Sequence, residues 1–359
     1  MRRIAFLGLA LLAVGCGGAS ENASERELEA GTLRLGFVGR LTGAPWDRDR
    51  LAFEGARLAV GEINRLGGID GVLRLRLDGA AAATPAGAMT AAEGLLRRGA
   101  RVLVTPCRQA EQLSVFRAGG SARRLVLGTC NPGPARAGRP GTDWYVSPEL
   151  LAQAAALAGF VAERGHERVW LDAPRSNEAR STLEAALRER GLRAVGRGGK
   201  PDAVVVARNA RETVRLIASL RADGSRAAIF ALDQLDSARV RGQAGSLLEG
   251  ASFTAYGYPV PGSKLDELYE RYRARYGRRP DGSAIALGYT AVKVLEAAIN
   301  VYESAETARV QRAMRGLEHH GGPLGSIAYP ERGGRSPRAE VPVVTVVDSR
   351  LELARRAEP

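Results

Sequence analysis

Three cysteines and three histidines are the residues of this chain best suited to nucleophilic, redox or metal chemistry: Cys16, Cys107, Cys130, His166, His319 and His320. No histidine has a spacing to Cys107 or Cys130 that suggests a thiol–imidazole dyad. His319 and His320 are adjacent, so their side chains point different ways from a helix or strand, and no further ligand follows at helical spacing to complete a chelate. There is no Cys-x-x-Cys pair and no G-x-S-x-G elbow. The glycine-rich run Gly196-Arg197-Gly198-Gly199-Lys200 ends on Pro201, whereas a phosphate loop needs a hydroxyl residue there and wider glycine spacing. The sequence therefore implies no catalytic group, metal or cofactor, and argues for binding rather than an enzyme.

The cysteines point to a compartment instead. Arg2 and Arg3 precede the apolar run Ile4–Val14, which is too short to span a bilayer comfortably and reads as a targeting segment. It ends Leu12-Ala13-Val14-Gly15-Cys16, and small residues before a cysteine resemble a bacterial lipobox. On that resemblance residues 1–16 are a lipoprotein signal peptide ending at the lipidated Cys16; the alternative is an ordinary signal peptide cleaved nearby. Either way the protein is exported, to the periplasm or cell surface, and on the first reading it touches the membrane through its lipid anchor only. Residues 17–31 are polar and read as a flexible tether with a reach of at most about 50 Å. No other segment is long and apolar enough to cross a membrane.

With Cys16 lipidated, Cys107 and Cys130 remain as an even pair in an oxidising compartment. Arg101–Thr105 and Arg124–Thr129 read as buried parallel strands, each with a cysteine just past its end. Adjacent parallel strands lie about 5 Å apart, within disulfide range. A bridge there would close a loop worth roughly 3 kcal/mol. Two free thiols are the alternative.

The chain has 359 residues, enough for two medium domains, and 25% charged and 45% apolar residues, ordinary for a globular protein. Its net charge is +13, and all basic residues but Lys200, Lys264 and Lys293 are arginine. That bias could serve nucleic acid. The arginines are instead scattered among acids on helix faces, as in Arg188-Glu189-Arg190, with no aromatic residues interleaved for stacking. The expectation is no nucleic-acid partner.

These residues must be positioned by alternating strands and helices. Leu33, Leu35 and Phe37 alternate with Arg34 and Gly36, the period of a strand, and Leu73, Leu75 and Leu77 repeat the pattern. Between them Phe53, Ala56, Val60 and Ile63 share one helix face, and Gly67-Gly68 stands where a left-handed helix end is wanted. Further helices are expected at 86–98, 109–119, 150–164, 176–190 and 210–222, and further strands at 144–146, 168–172, 192–195, 203–207 and 227–232. Repeated βα units imply a parallel sheet covered on both faces. Ligands then bind beyond the carboxyl ends of the strands. The rhythm breaks near Ser147-Pro148, Ser252–Pro261 and Gly321–Gly325. Tyr269, Tyr272 and Tyr276, three and four apart, read as core.

Several of these residues carry a resemblance over the whole mature chain. Leu41-Thr42-Gly43, Gly55, Leu58, Ile63-Asn64, Gly67-Gly68-Ile69, Gly71 and Asp78 resemble the opening of type I periplasmic binding proteins, in the branch serving branched-chain amino acid (Leu/Ile/Val) ABC transporters. Leu268–Tyr276, Gly277, Pro280, Gly288-Tyr289-Thr290-Ala291, Gly322-Pro323-Leu324-Gly325, Tyr329 and Gly333-Gly334 resemble its later segments. The resemblance implies an α/β fold of two Rossmann-like lobes with parallel sheets, joined by a three-strand hinge. Lobe one would take 32–147 plus 255–321, and lobe two 148–254 plus 322–359. It also implies a small-molecule ligand held between the lobes, an α-carboxylate gripped by one and an ammonium met by an acid and aromatics in the other. The gripping turn maps to Cys107-Arg108-Gln109, with Arg108 in a run of small hydroxyl residues in the family. The next turn maps to Thr129-Cys130-Asn131, and Trp46 stands where an aromatic covers the ligand. In lobe two the positions are Asn177, Asn209 and Asp233, Asp233 being the candidate for the ammonium. The family's aromatics at 177 and 209 are missing, which favours a more polar or more anionic ligand. The function implied is a monomeric extracytoplasmic lipoprotein that delivers an amino acid or related carboxylate to an ABC permease. The alternatives are a sensor for a membrane receptor or kinase, a degenerate binding scaffold, and an exported thiol enzyme.

Overall fold

The computed structural model describes residues 31–44, 47–130, 143–174, 178–258, 261–332 and 335–357. Cys16, the tether, and the site candidates Trp46, Asn131 and Asn177 lie outside the described residues.

The chain begins with β1 (Thr32–Gly39), α1 (Arg48–Arg65), β2 (Arg74–Ala81), α2 (Pro85–Arg97), β3 (Val102–Thr105), α3 (Gln109–Ser121), β4 (Leu125–Gly128) and β5 (Asp143–Tyr145). The strands form one parallel sheet in the order β2-β1-β3-β4-β5. Leu33, Leu35 and Phe37 are buried on one face, as their alternation requires. Helix α1 starts on Asp47, whose side chain accepts the N–H of Asp49. It ends at Leu66, and the chain turns through Gly67 and Gly68 with φ of 103° and 107°.

The second sheet is built from α4 (Leu150–Glu163), β6 (Arg168–Asp172), α5 (Glu178–Glu189), β7 (Arg193–Ala194), β8 (Ala203–Val206), α6 (Ala210–Ala222), β9 (Ala228–Ala231), α7 (Ala238–Ala244) and β10 (Ser252–Thr254). The chain then returns to the first core with α8 (Lys264–Tyr276), α9 (Ala284–Tyr302), α10 (Thr307–Met314) and a small antiparallel sheet, β11 (Glu318–Gly322), β12 (Gly325–Ala328) and β13 (Arg338–Ala339). It closes with β14 (Val341–Val347) and β15 (Arg350–Ala357), giving the order β15-β14-β10-β9-β8-β6-β7.

Burial locates the crossings. Val146 packs in the first core and Leu150 in the second. Ala255 packs in the second and Tyr256 in the first. The third crossing differs from the expected break at Gly321–Gly325. Leu324, Ile327, Tyr329 and Ala339 all pack in the first core, whereas Val341 and Val343 pack in the second. The chain therefore changes lobes at Glu340, because the hairpin after Gly321 buries its apolar residues under Trp144, whose ring meets Tyr329 edge-on at 5.5 Å.

Strands β14 and β15 run antiparallel, an exception to the expected all-parallel sheet. Their turn residues Asp348 and Ser349 have φ of 48° and 62°, the left-handed pair that a two-residue hairpin takes.

Candidate functional site

The carboxyl ends of β1, β3 and β4 in one lobe and of β6, β8 and β9 in the other carry the candidate residues. At the end of β3, Cys107 is bonded through sulfur to Cys130 at the end of β4, with Cα atoms 4.9 Å apart. The turn is fixed from beneath by Gln112, which is fully buried. Its Nε2 donates to Thr105 Oγ1 at 3.0 Å and to the carbonyls of Pro106 and Cys130 at 3.3 and 2.8 Å. Thr129 is equally buried, and its hydroxyl donates to the Thr105 carbonyl at 3.0 Å. Thr129 and Cys130 thus support the turn from inside the fold; Arg108 and Gln109 are its exposed part.

Arg108 is the N-cap of α3 and makes no side-chain capping bond. The positive end of the helix dipole and the guanidinium place positive charge at one spot. Behind it lies Asp49, 3% exposed, which accepts the Cys107 N–H at 2.9 Å and the Arg40 N–H at 3.1 Å. Burial pushes the Asp49 carboxyl above the usual carboxylate value, against the pull of those two N–H donors. The Cys107 amide is thereby committed to the protein.

In the second lobe Asn209 caps α6, accepting the Glu212 N–H at 3.0 Å. Its neighbour Arg208 makes a forked ion pair with Asp172 at the end of β6. Asp233, beyond β9, was the candidate for a ligand ammonium. Its carboxylate instead receives Nη1 of Arg48 at 2.7 Å, and its carbonyl receives Nη2 at 2.5 Å. Arg48 opens α1 in the first lobe, so this contact spans the cleft. Burial opposes the charge on Arg48, but Asp233, Tyr256 and Asp236 together outweigh it and raise its pKa. Burial first, and then the Asp233 carboxylate, push the Tyr256 phenol well above its ordinary value.

A second set of cross-lobe bonds lies beside the hinge. Asp236 accepts the backbone N–H of Ser283 at 3.0 Å and also its hydroxyl. Asp281 receives the Ser237 hydroxyl at 2.5 Å and the Arg239 N–H at 2.8 Å. Sequence reasoning missed Arg48, Asp49, Arg208 and Asp236. The Asp-Arg-Asp-Arg run at 47–50 reads as a polar helix start, and nothing local shows that one member reaches a residue 185 positions away. Among the described residues no group of three or more His, Cys, Asp or Glu could hold a metal ion.

Two α/β lobes between which the chain passes three times, bonded to each other through Arg48 and Asp233, have the type I periplasmic binding protein fold. A family model described as a periplasmic binding protein matches residues 197–350. The leucine-binding protein LivK of Thermotoga maritima superposes with a TM-score of 0.79 at 19% identity, covering 91% of this chain and 99% of that one. LivJ of Streptococcus pneumoniae, in complex with isoleucine, superposes at 0.76 and 17% identity, covering 91% and 100%. A solute-binding protein of an ABC transporter from R. palustris, in complex with benzoate, superposes at 0.74 and 13% identity, covering 92% and 97%. No curated protein matches the sequence.

Proposed function

We propose that this protein is an exported solute-binding protein that captures a small carboxylate, an amino acid or a related acid, between its lobes and hands it to an ABC permease. It has no catalytic role in this reading. Cys16 anchors it to the membrane by lipid, and the tether gives the lobes reach toward the permease. The observation that carries the reading is the exposed Arg108 at the start of α3, on a turn held by the Cys107–Cys130 bridge. A permanent, planar cation at a helix N-terminus suits a carboxylate. Gln109 lies beside it, and Trp46, Asn131 and Asn177 are assigned to the same cleft by their place in the sequence. The complexes of similar folds with isoleucine and with benzoate support a ligand of this size and charge.

A thermal-shift screen over amino acids, benzoate, other carboxylates, polyols and phosphates tests this. A ligand at a hundred times its dissociation constant should add about 2.7 kcal/mol of stability. Binding of a carboxylate that is lost in Arg108→Ala is the expected result. Stabilisation only by polyols, or binding indifferent to Arg108→Ala, would overturn the assignment of the anion site.

A further inference from the structure

We propose that Arg48 is the specificity-determining residue of the cleft: it stands on Asp233 as a built-in cation, so the captured solute is an acid that carries no ammonium group. The inference rests on the reading of the cleft as a carboxylate site and narrows it. Both Nη atoms of Arg48 converge on Asp233, one on its carboxylate and one on its carbonyl. This forked grip holds the guanidinium in place. The Asp233 side chain keeps only 18% of its surface exposed, and Tyr256 lies against it.

An arriving ammonium would meet a carboxylate already neutralised, behind a cation that repels it. To bind, it must displace Arg48 and leave that guanidinium without its carboxylate. A repulsive element of this kind rejects the wrong ligand as effectively as a contact favours the right one. Several acids at the strand ends are, among the described residues, already engaged within the protein. Asp172 is paired with Arg208. Asp236 is taken by Ser283 and lies 4.0 Å from Arg241. Asp49 is buried on two amides, and Asp47 caps α1. Arg108, by contrast, makes no ion pair among the described residues. Arg108 is thus a cation left for a solute's anionic end, while Asp233 is already closed to a cationic one.

Calorimetric titration of the purified protein with matched pairs tests this: 4-methyl-2-oxopentanoate against L-leucine, phenylpyruvate against L-phenylalanine, and 2-oxoglutarate against L-glutamate. Within each pair the two differ by an oxo group in place of the ammonium. For at least one pair the oxo acid should bind about tenfold tighter or better, the factor that 1.4 kcal/mol carries. Arg48→Lys, which keeps the cation, should retain that preference. Arg48→Met should uncover Asp233 and move the preference toward the amino acid, and adding Asp233→Asn should remove that gain. A wild-type preference for the amino acids, or a ratio unchanged in Arg48→Met, would overturn the role of Arg48 while leaving the carboxylate site standing. Failure of wild type and every variant to bind either member of any pair would overturn the site itself.

Discussion

Asp49 accepts two backbone amides inside the first lobe and has no ion-pair partner among the described residues. Its pKa is raised by burial, so the folded protein holds that proton more tightly than the unfolded chain, where the carboxyl titrates near 3.9. Its contribution to stability therefore falls as pH rises from the ordinary value through the raised one, the reverse of a salt-bridged aspartate. Replacing it with alanine strands the Cys107 and Arg40 amides, at about 1–3 kcal/mol for each left unpaired. Urea melts of Asp49→Ala and wild type, run from the acid range to neutrality, should show a destabilised variant and a gap that narrows as pH rises through the titration of Asp49. At this scale the sequence was only half legible. Arg108 and Asp233 were singled out through the positions they match in the resembled family, in turns that follow strands; the strand pattern alone names neither. The partners of Asp233 and Asp49 were not singled out, since a cation arriving from another lobe leaves no periodic trace.

Helices α1 and α9 cross so closely that two glycines are steric requirements. A Cβ on Gly288 would lie 1.7 Å from the Ala52 carbonyl oxygen, and one on Gly55 would lie 2.0 Å from that of Ile285. Backbone cannot yield as a side chain does, so Gly288→Ala should cost about 3 kcal/mol or more. A lowered melting midpoint checks this, and a variant as stable as wild type would refute the crossing. The same packing explains why α9 is apolar nearly all round: contrary to the sequence expectation it is long and apolar enough to cross a membrane by composition, but 72% of its most apolar stretch is buried inside the protein. The core helices and the parallel strands were legible from periods of 3.6 and 2. Tyr269 and Tyr272 are buried, as their spacing implied. The β14–β15 hairpin was not, because its turn is Asp348-Ser349 rather than a glycine pair and β14, Val341–Val347, is apolar on both faces without a polar–apolar alternation.

The two lobes meet at the Arg48–Asp233 pair and at the Asp236–Ser283 and Asp281–Ser237 bonds. The first pair is partly exposed, with 37% of the Arg48 side chain in solvent, so it contributes about 0.2–1 kcal/mol to closure. Arg48→Ala should therefore raise the open population of the unliganded protein by roughly 1.4- to fivefold. Small-angle scattering should report a larger radius of gyration, and raised salt should move wild type the same way. An unchanged radius in the variant would mean that the hinge-side bonds alone set the angle. The arrangement of the chain has a further consequence for its synthesis. Strand β14 lies between β10 and β15, yet it comes after the whole first lobe has been completed. Until residues 341–357 have emerged, β10 keeps a bare edge, the kind of surface on which other chains template. The β14–β15 hairpin is therefore what covers β10, and this sheet stays vulnerable to misassembly until that hairpin has docked.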